Sequence, residues 1–354
     1  MTTMLAPDTR PAGGLALRTP RLSPLVAAGC AVGALAGTAL VFVLTPFAGQ
    51  AEFVLTAALM IVVTVTAVSW RVEGRRRAVN RLVTLGAATA FLLALIPLGA
   101  VLAYTASRGV KRFSFNFLTH SMAGIGPLDS GGGAYHAIIG TLEQVGLATI
   151  IAVPLGLLVA IYVTEYGRGR LANTLRFFID VMTGVPSIVA GLFIFAFWVL
   201  ALHRGFSGFA AALSLAILML PVIVRTAEEM IRLVPSTLRE ASYALGVPKW
   251  RTIVSIVLPT ALTGITTGVL LAIARVTGET APLLLTASGN SFIHADPFNG
   301  PQSALPLLVF QQTQSAFDVA IDRAWAGALT LILIVVLLYV TARLLTRRNT
   351  LARR

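Results

Sequence analysis

Charged residues are scarce in this sequence, and the charge that it carries is mostly positive. Asp, Glu, Lys and Arg make up only 12% of the 354 residues, whereas 56% are hydrophobic and the mean hydropathy is +0.85. A soluble domain exposes far more polar surface than this composition allows. The apolar runs are continuous rather than alternating, which argues against membrane-spanning strands. The composition therefore predicts an all-α polytopic membrane protein.

Cysteine and lysine are nearly absent, and each shortage excludes a kind of chemistry. The single cysteine, Cys30, excludes an intrachain disulfide and a cysteine-based metal cluster. The two lysines, Lys111 and Lys249, follow Val110 and Pro248, so neither is the lysine of a GxxxxGK[ST] loop. The chain therefore cannot hydrolyse ATP through such a loop. The four histidines lie in or next to predicted outer loops without ligand spacing, so we predict no metal site and no cofactor.

Eight apolar runs are long enough to cross a bilayer as helices. They lie at about residues 25–47, 53–70, 82–104, 135–162, 177–202, 209–224, within 228–285, and at 324–345. Of the 27 Lys and Arg residues, 21 lie in segments on one side of these runs, five lie on the other side, and Arg275 lies inside a run. Because basic residues are retained in the cytoplasm, both termini and the segment after Glu228 are predicted to be cytoplasmic.

The stretch 228–285 joins a polar segment to an apolar one. We predict a cytoplasmic loop over 226–257 that contains a short helix of about ten residues. The helix starts near Pro235 and ends at Gly246, with Pro248 just beyond. On periodicity alone, an interfacial amphipathic helix that bridges two spans fits equally well.

The residue order of this helix is similar to the EAA signature of bacterial ABC-importer permeases. That signature is EAA, three residues, Gly, nine residues and Ile-x-Leu-Pro, and this chain departs from it only at Ser242. In the family, this short coupling helix sits in a groove of the ATPase subunit and passes motion to the membrane helices. The resemblance implies that five residues serve this coupling: Arg239, Glu240, Ala241, Ser242 and Gly246. Arg239 and Glu240 are expected to form ion pairs at the rim of the contact.

The apolar part of the stretch carries two charges, Arg275 and Glu279, four residues apart on one helix face. Gly264, Gly268 and Ala272 continue that face and suit close helix packing. A charge at this depth costs at least about 2.5 kcal/mol, so it needs a partner or a water-filled path. Two readings are open: an ion pair that pins helices together, or an anion pathway lined by Arg275 and supported by Glu279.

Residues around these charges favour a break in the helix. Thr277 and Thr280 flank Gly278, and Pro282 follows, which indicates local unwinding that exposes backbone N–H groups to an anion. Arg225, near the inner end of the sixth run, is a further candidate contact for the anion. The predicted substrate pathway thus comprises five residues: Arg225, Arg275, Thr277, Glu279 and Thr280.

The segment LLAIARVTGETAPLL, at 270–284, closely resembles phosphate-importer permeases of the PstA type, as do 131–167, 179–195 and 220–246. The resemblance runs from about residue 82 to the C-terminus, whereas family members commonly have six helices. Composition and the resemblance together predict four parts: a disordered cytoplasmic tail at 1–24, two additional helices with a basic loop at 25–81, a six-helix permease domain at 82–346, and a basic cytoplasmic tail at 347–354.

The resemblance implies a permease subunit of a bacterial plasma-membrane importer for inorganic phosphate. The partners that it implies are a homologous second permease, an ATPase dimer and an extracytoplasmic phosphate-binding protein. A guanidinium fork suits a tetrahedral oxyanion, and Glu279 is a candidate acceptor for the O–H of hydrogen phosphate. A permease for phosphonate, sulfate or molybdate remains an alternative, as does a membrane scaffold or sensor that docks an ATPase without transport.

Overall fold

A computed structural model describes residues 22–44 and 49–351. Most of the predicted tail at 1–24, and residues 352–354 of the predicted C-terminal tail, therefore lie outside the described residues. The described ranges are α-helical without a named strand, and contain an isolated bridge between Ser288 and Gln302. The helices are α1 (Pro24–Leu44), α2 (Gln50–Glu73), α3 (Arg75–Gly109), α4 (Phe115–Thr119), α5 (Tyr135–Tyr166), α6 (Arg170–Thr183), α7 (Ser187–Ala201), α8 (Gly208–Arg232), α9 (Ser236–Ala244), α10 (Lys249–Thr277), α11 (Ala281–Thr286), α12 (Leu305–Thr313) and α13 (Asp318–Leu351).

Seven of these helices are long and apolar enough to cross a membrane, and the bent pair of α6 and α7 is a candidate eighth span. The predicted class, an all-α polytopic membrane protein with about eight spans, is confirmed. The spans begin and end close to the predicted runs, because hydropathy over about 20 residues is a local property of the chain.

The predicted fifth span, 177–202, is wrong as a single straight helix. The chain instead bends by 108° between α6 and α7. Pro186 lies at the bend, where it provides no N–H and disfavours helical geometry at the preceding residue. Helix α6 is amphipathic and buries Ala172 and Ile179, while Phe177 stays exposed.

The predicted cytoplasmic loop over 226–257 is mostly helical. Helix α8 extends to Arg232 and α10 already begins at Lys249, so short connections flank the intervening helix α9. The end of α8 stays helical because Ala227, Glu228 and Ile231 are buried along one side of it. Likewise, the predicted outer loop at 288–323 contains α12 and the first turns of α13.

The chain divides into two compact units, residues 1–102 and 103–354. Within the described part of the first unit, α1 packs along α2. Much of α3 is exposed, including Phe91 and Leu98. A polar cluster at the end of α2 joins the helices, because the Glu73 carboxylate accepts hydrogen bonds from Ser69, from Arg81 and from the backbone N–H of Leu22.

The second unit is built around α8, which packs against α5 and α10. Small residues bring the helices close together: Gly156 lies against Ile223, and Gly268 lies against Thr226. Gly264 lies against Met230, and Ala272 is fully buried in the same core. The predicted small-residue face of α10 is thus confirmed as a close helix contact.

Candidate anion pathway and coupling helix

The predicted break in the seventh span is confirmed. Helix α10 ends at Thr277 and α11 starts at Ala281, with Pro282 in its first turn, where a missing N–H is tolerated. The chain between them is non-helical from Gly278 to Thr280. Its N–H groups are not all exposed, because Gly278 donates to the Arg275 carbonyl at 3.3 Å and Glu279 donates to the Val276 carbonyl at 3.1 Å.

The ion pair between Arg275 and Glu279, one of the two interpretations that the sequence leaves open, is not formed among the described residues. In the part of the chain that the structure describes, neither side chain has an ion-pair or hydrogen-bond partner. The physical reason is that Glu279 lies beyond the end of α10, so the i,i+4 geometry of a continuous helix is lost. Arg275 is exposed on the surface of this single chain, and Glu279 is half-buried.

The two predicted pathway threonines lie in different environments. Thr277 is buried, and its hydroxyl donates to the Ile273 carbonyl at 2.7 Å, so it points into its own helix and not toward an anion. Thr280 is half-buried in the break. Helix α11 packs against α7, where Gly191 lies against Pro282 without room for a larger side chain. The segments that follow both breaks, α7 and α11, therefore contact each other.

Arg225 belongs to a charged cluster between α6 and α8. It forms an ion pair with Asp180 and lies 3.5 Å from Glu228. Glu228 is the centre of the cluster: its side chain is only 5% exposed, and it also pairs with Arg176 and Arg232. The role of Glu228 was missed from the sequence, although its spacing of three residues from Arg225 and four from Arg232 was a readable signal.

The predicted short helix after Pro235 is confirmed as α9, with Pro235 before its first residue. Gly246 has a φ of +73°, a left-handed conformation that glycine adopts at low cost just past a helix end. Pro248 then precedes the first residue of α10. Both boundaries thus lie where the local sequence predicts them.

Arg239 forms its ion pair with Glu165 of the same chain, whereas the sequence predicted ion pairs at the rim of a contact with a partner. Its guanidinium donates to Glu165 Oε1 at 3.1 and 2.8 Å, to the Val234 carbonyl at 2.6 Å and to the Ile231 carbonyl at 2.9 Å. The side chains of Arg239 and Glu165 are 17% and 7% exposed. Arg239 therefore anchors α9 to the C-terminal ends of α5 and α8.

Ser242 also faces the chain itself. Its hydroxyl lies 2.8 Å from that of Thr252 in α10, and both residues are buried.

The exposed side of α9 is formed by Glu240 and Ala241. Large apolar side chains are exposed on and beside α9, with the exposed fraction given in each case: Leu233 (73%), Leu238 (41%), Tyr243 (41%), Leu245 (83%) and Trp250 (62%). Exposed apolar side chains of this kind are typical of a surface that contacts a protein partner or a membrane.

At the other end of the unit, the segment after α11 returns into the protein. Gln302 is buried against α5, where its side chain accepts a hydrogen bond from Gln144 at 3.0 Å and donates to Glu143. Arg323 is also buried, and donates to the carbonyls of Pro127, Asp129 and Gly131. These contacts order the predicted outer loops, and the sequence carried no local signal for them.

Comparisons with known proteins define the class. A family model described as a binding-protein-dependent transport system inner membrane component matches residues 152–351. The PstA 1 phosphate transport system permease of Mycobacterium tuberculosis is 48% identical over 284 residues, which cover 78% of this chain and 92% of that protein. The PstA phosphate transport system permease of Yersinia pestis is 42% identical over 271 residues, covering 76% and 90%. An inward-facing structure of the MetNI methionine ABC transporter matches with a TM-score of 0.48 and 18% identity, covering 61% of this chain and 94% of that one.

The chain belongs to the family of binding-protein-dependent transport system inner membrane components. Within that family, it is similar to the PstA permeases over 78% of its length.

Proposed function

We propose that this protein is a transmembrane permease subunit of an ABC importer that carries inorganic phosphate into the cytoplasm. The observation that carries the proposal is the similarity to a phosphate transport permease, at 48% identity over 78% of this chain. The chain is a transporter subunit, and ATP is hydrolysed by a partner subunit.

Arg275 is the proposed contact for phosphate. An arginine at membrane depth costs at least about 2.5 kcal/mol and is retained where it serves a pathway or a partner. Among the described residues it has no ion-pair partner, and it is exposed on the surface of this single chain. We therefore propose that it faces the pathway between this subunit and a homologous second permease. Glu279 and Thr280 lie in the adjoining break and complete the site, whereas Thr277 and Arg225 have structural partners.

The exposed side of α9 is the proposed dock for an ATPase dimer. Glu240, Ala241 and the apolar side chains around Leu245 supply the contact. On its inner side, Arg239 and Ser242 tie α9 to α5, α8 and α10. Helix α10 runs from Lys249 to Thr277, about 42 Å at 1.5 Å per residue. A displacement of α9 is thereby transmitted along α10 to the break between α10 and α11.

The proposed membrane topology rests on the distribution of basic residues, and the proposed domain division rests on the resemblance to PstA permeases. The asymmetry of basic residues supports cytoplasmic termini in the bacterial plasma membrane. We propose the four parts 1–24, 25–81, 82–346 and 347–354 as tail, added helices, permease domain and tail. An extracytoplasmic phosphate-binding protein is the proposed source of substrate at the end of the unit that holds Gln302 and Arg323.

Uptake of labelled phosphate by proteoliposomes that contain the complete importer tests this function. We expect Arg275→Gln to reduce uptake at least about tenfold, and Arg204→Gln, an exposed arginine elsewhere in the chain, to leave it unchanged. Equal uptake by wild type and Arg275→Gln would remove Arg275 from the pathway. Competition by sulfate as strong as that by unlabelled phosphate would indicate a different oxyanion. ATPase binding without any anion uptake would indicate a scaffold.

A further inference from the structure

A cavity of about 540 Å³ lies in the second unit, between the end of α3 and the start of α5. This volume lies in the range of about 300–1,000 Å³ that is typical of small-molecule sites. Its lining residues all belong to 111–132, a segment that the proposed topology places on the extracytoplasmic side. No residue of the proposed phosphate pathway or of α9 is among them.

The cavity is lined by two permanent cations that no carboxylate neutralises. Lys111 is exposed and Arg112 is half-buried, and among the described residues neither has an ion-pair partner. The sequence at 105–135 contains one carboxylate, Asp129, which does not line the cavity. That carboxylate accepts a hydrogen bond from the backbone N–H of Gly126 at 2.7 Å. A concave surface with unpaired positive charge attracts anions.

The Arg112 guanidinium is held in place and keeps one donor unused. Its terminal nitrogen donates to the Gly131 carbonyl at 2.9 Å. Arg323 donates to the same carbonyl at 3.2 Å, so a second guanidinium lies close by and adds to the positive potential. The Arg112 Nε is enclosed by the protein and has no acceptor among the described residues. Since a buried donor without an acceptor is costly, an oxygen atom from outside the chain is the expected partner.

Serine hydroxyls supply further donors to the cavity. Ser114 Oγ accepts a hydrogen bond from the backbone N–H of Phe117 at 3.2 Å, and Ser121 Oγ accepts one from Ala123 at 3.3 Å. Because both oxygens already act as acceptors, their O–H groups are available to donate. A third serine, Ser130, also lines the cavity. The lining therefore offers donors of both kinds, charged and neutral, and suits a ligand that only accepts.

We propose that this cavity binds a small tetrahedral oxyanion, with inorganic phosphate as the ligand. Lys111 and Arg112 supply the positive charge, and the serine hydroxyls donate to the remaining oxygens. Charge-assisted hydrogen bonds of this type are the strong ones, and arginine and lysine both bind phosphate through them. The site is distinct from the one proposed at Arg275, and binding to it does not require transport. Its role in holding phosphate at the outer surface before import rests on the proposed function.

The test uses the full-length chain carrying Arg275→Gln, purified in a mild detergent without phosphate, so that the cavity is the site measured. Equilibrium dialysis with radiolabelled inorganic phosphate gives the bound fraction. We expect saturable binding that Arg112→Gln weakens at least about tenfold, the factor expected for one charged hydrogen bond. The matched control Arg108→Gln, an exposed arginine outside the cavity, should change binding by less than about twofold.

A second variant separates binding from folding. Lys111 makes no hydrogen bond among the described residues, so Lys111→Gln should also weaken binding about tenfold while thermal unfolding stays unchanged. Three results would overturn the proposal: no saturable binding, equal effects of Lys111→Gln and Arg108→Gln, or displacement of phosphate by chloride at equal concentration. Full displacement by phosphatidylglycerol would also overturn it, because the ligand would then be a lipid headgroup.

The role in import is measured separately, as phosphate uptake by proteoliposomes that contain the complete importer. Lys111→Gln should raise the phosphate concentration that gives half-maximal uptake, and Arg108→Gln should not. An unchanged half-maximal concentration in Lys111→Gln would refute the role in import. Absence of uptake by the wild type would refute the proposed function, whereas the dialysis result would still decide whether the cavity binds phosphate.

Discussion

Replacing Arg239 by glutamine is expected to loosen α9 while leaving the membrane helices folded. The guanidinium donates two hydrogen bonds to Glu165, one to the Val234 carbonyl and one to the Ile231 carbonyl. Glutamine has neither the charge nor the planar fork that makes these contacts together. The variant therefore leaves the Glu165 carboxylate, which is 7% exposed, without its counter-ion.

The magnitude follows from the burial of this pair. Removing one partner of a buried ion pair costs roughly 3–5 kcal/mol, and an unsatisfied carbonyl adds about 1–3 kcal/mol. Because Arg239 retains 17% exposure, water reaches the site and the lower end applies, about 3 kcal/mol. At 1.4 kcal/mol per factor of ten, the population of chains with α9 detached rises on the order of 100-fold.

Hydrogen exchange measured by mass spectrometry on the full-length chain reports this opening, because amides of a locally unfolded segment exchange from the open state. We expect faster exchange in 236–244 and unchanged exchange in α8. Arg251→Gln is the matched control, because Arg251 is an exposed basic residue near α9. The reasoning is refuted if α9 exchanges equally fast in wild type and Arg239→Gln, or if the control has the same effect as the test variant.

Three further predictions concern the second unit. Glu228→Gln should lower the stability of the folded chain by roughly 3 kcal/mol, because three arginines lose the carboxylate that they share. The control is Glu229→Gln, which changes an exposed neighbouring carboxylate and should have little effect. Thermal unfolding measures the stability of both variants. Gly268→Ala should lower the free energy of unfolding by about 1–3 kcal/mol, because the new methyl group meets Thr226. The control is Gly146→Ala, where the added methyl group meets open space and should be neutral or slightly stabilising. A denaturation midpoint that falls equally in both variants would contradict the close contact. Arg323→Gln should leave three carbonyls of the predicted outer loop without their donor and speed proteolysis at 123–133. The control, Arg204→Gln, changes an exposed arginine and should leave the cleavage rate unchanged. An unchanged cleavage rate in Arg323→Gln as well would argue against this anchoring role.

Local signals in the sequence account for seven of the spans and for the short helix α9. Hydropathy over about 20 residues is a property of one segment, so the position of an apolar run does not depend on the helices that it packs against. Pro235 and Gly246 mark the ends of α9 through backbone preferences that act within a few residues. The break before Ala281 was likewise readable, because Gly278 and Pro282 both weaken a continuous helix.

Tertiary structure alone decided which charges meet. Arg239 pairs with Glu165, 74 residues earlier, and Asp180 pairs with Arg225 across two helices, so the partners depend on which helices pack together. Arg275 and Glu279 had an ideal spacing for a pair, yet the helix ends between them and removes that geometry. The sequence by itself thus determined the class of protein, seven of the eight predicted spans and the position of the break before α11. Packing determined that Arg239 and Ser242 hold α9 against the rest of the chain, because a side chain's direction is set by the surface that it packs against.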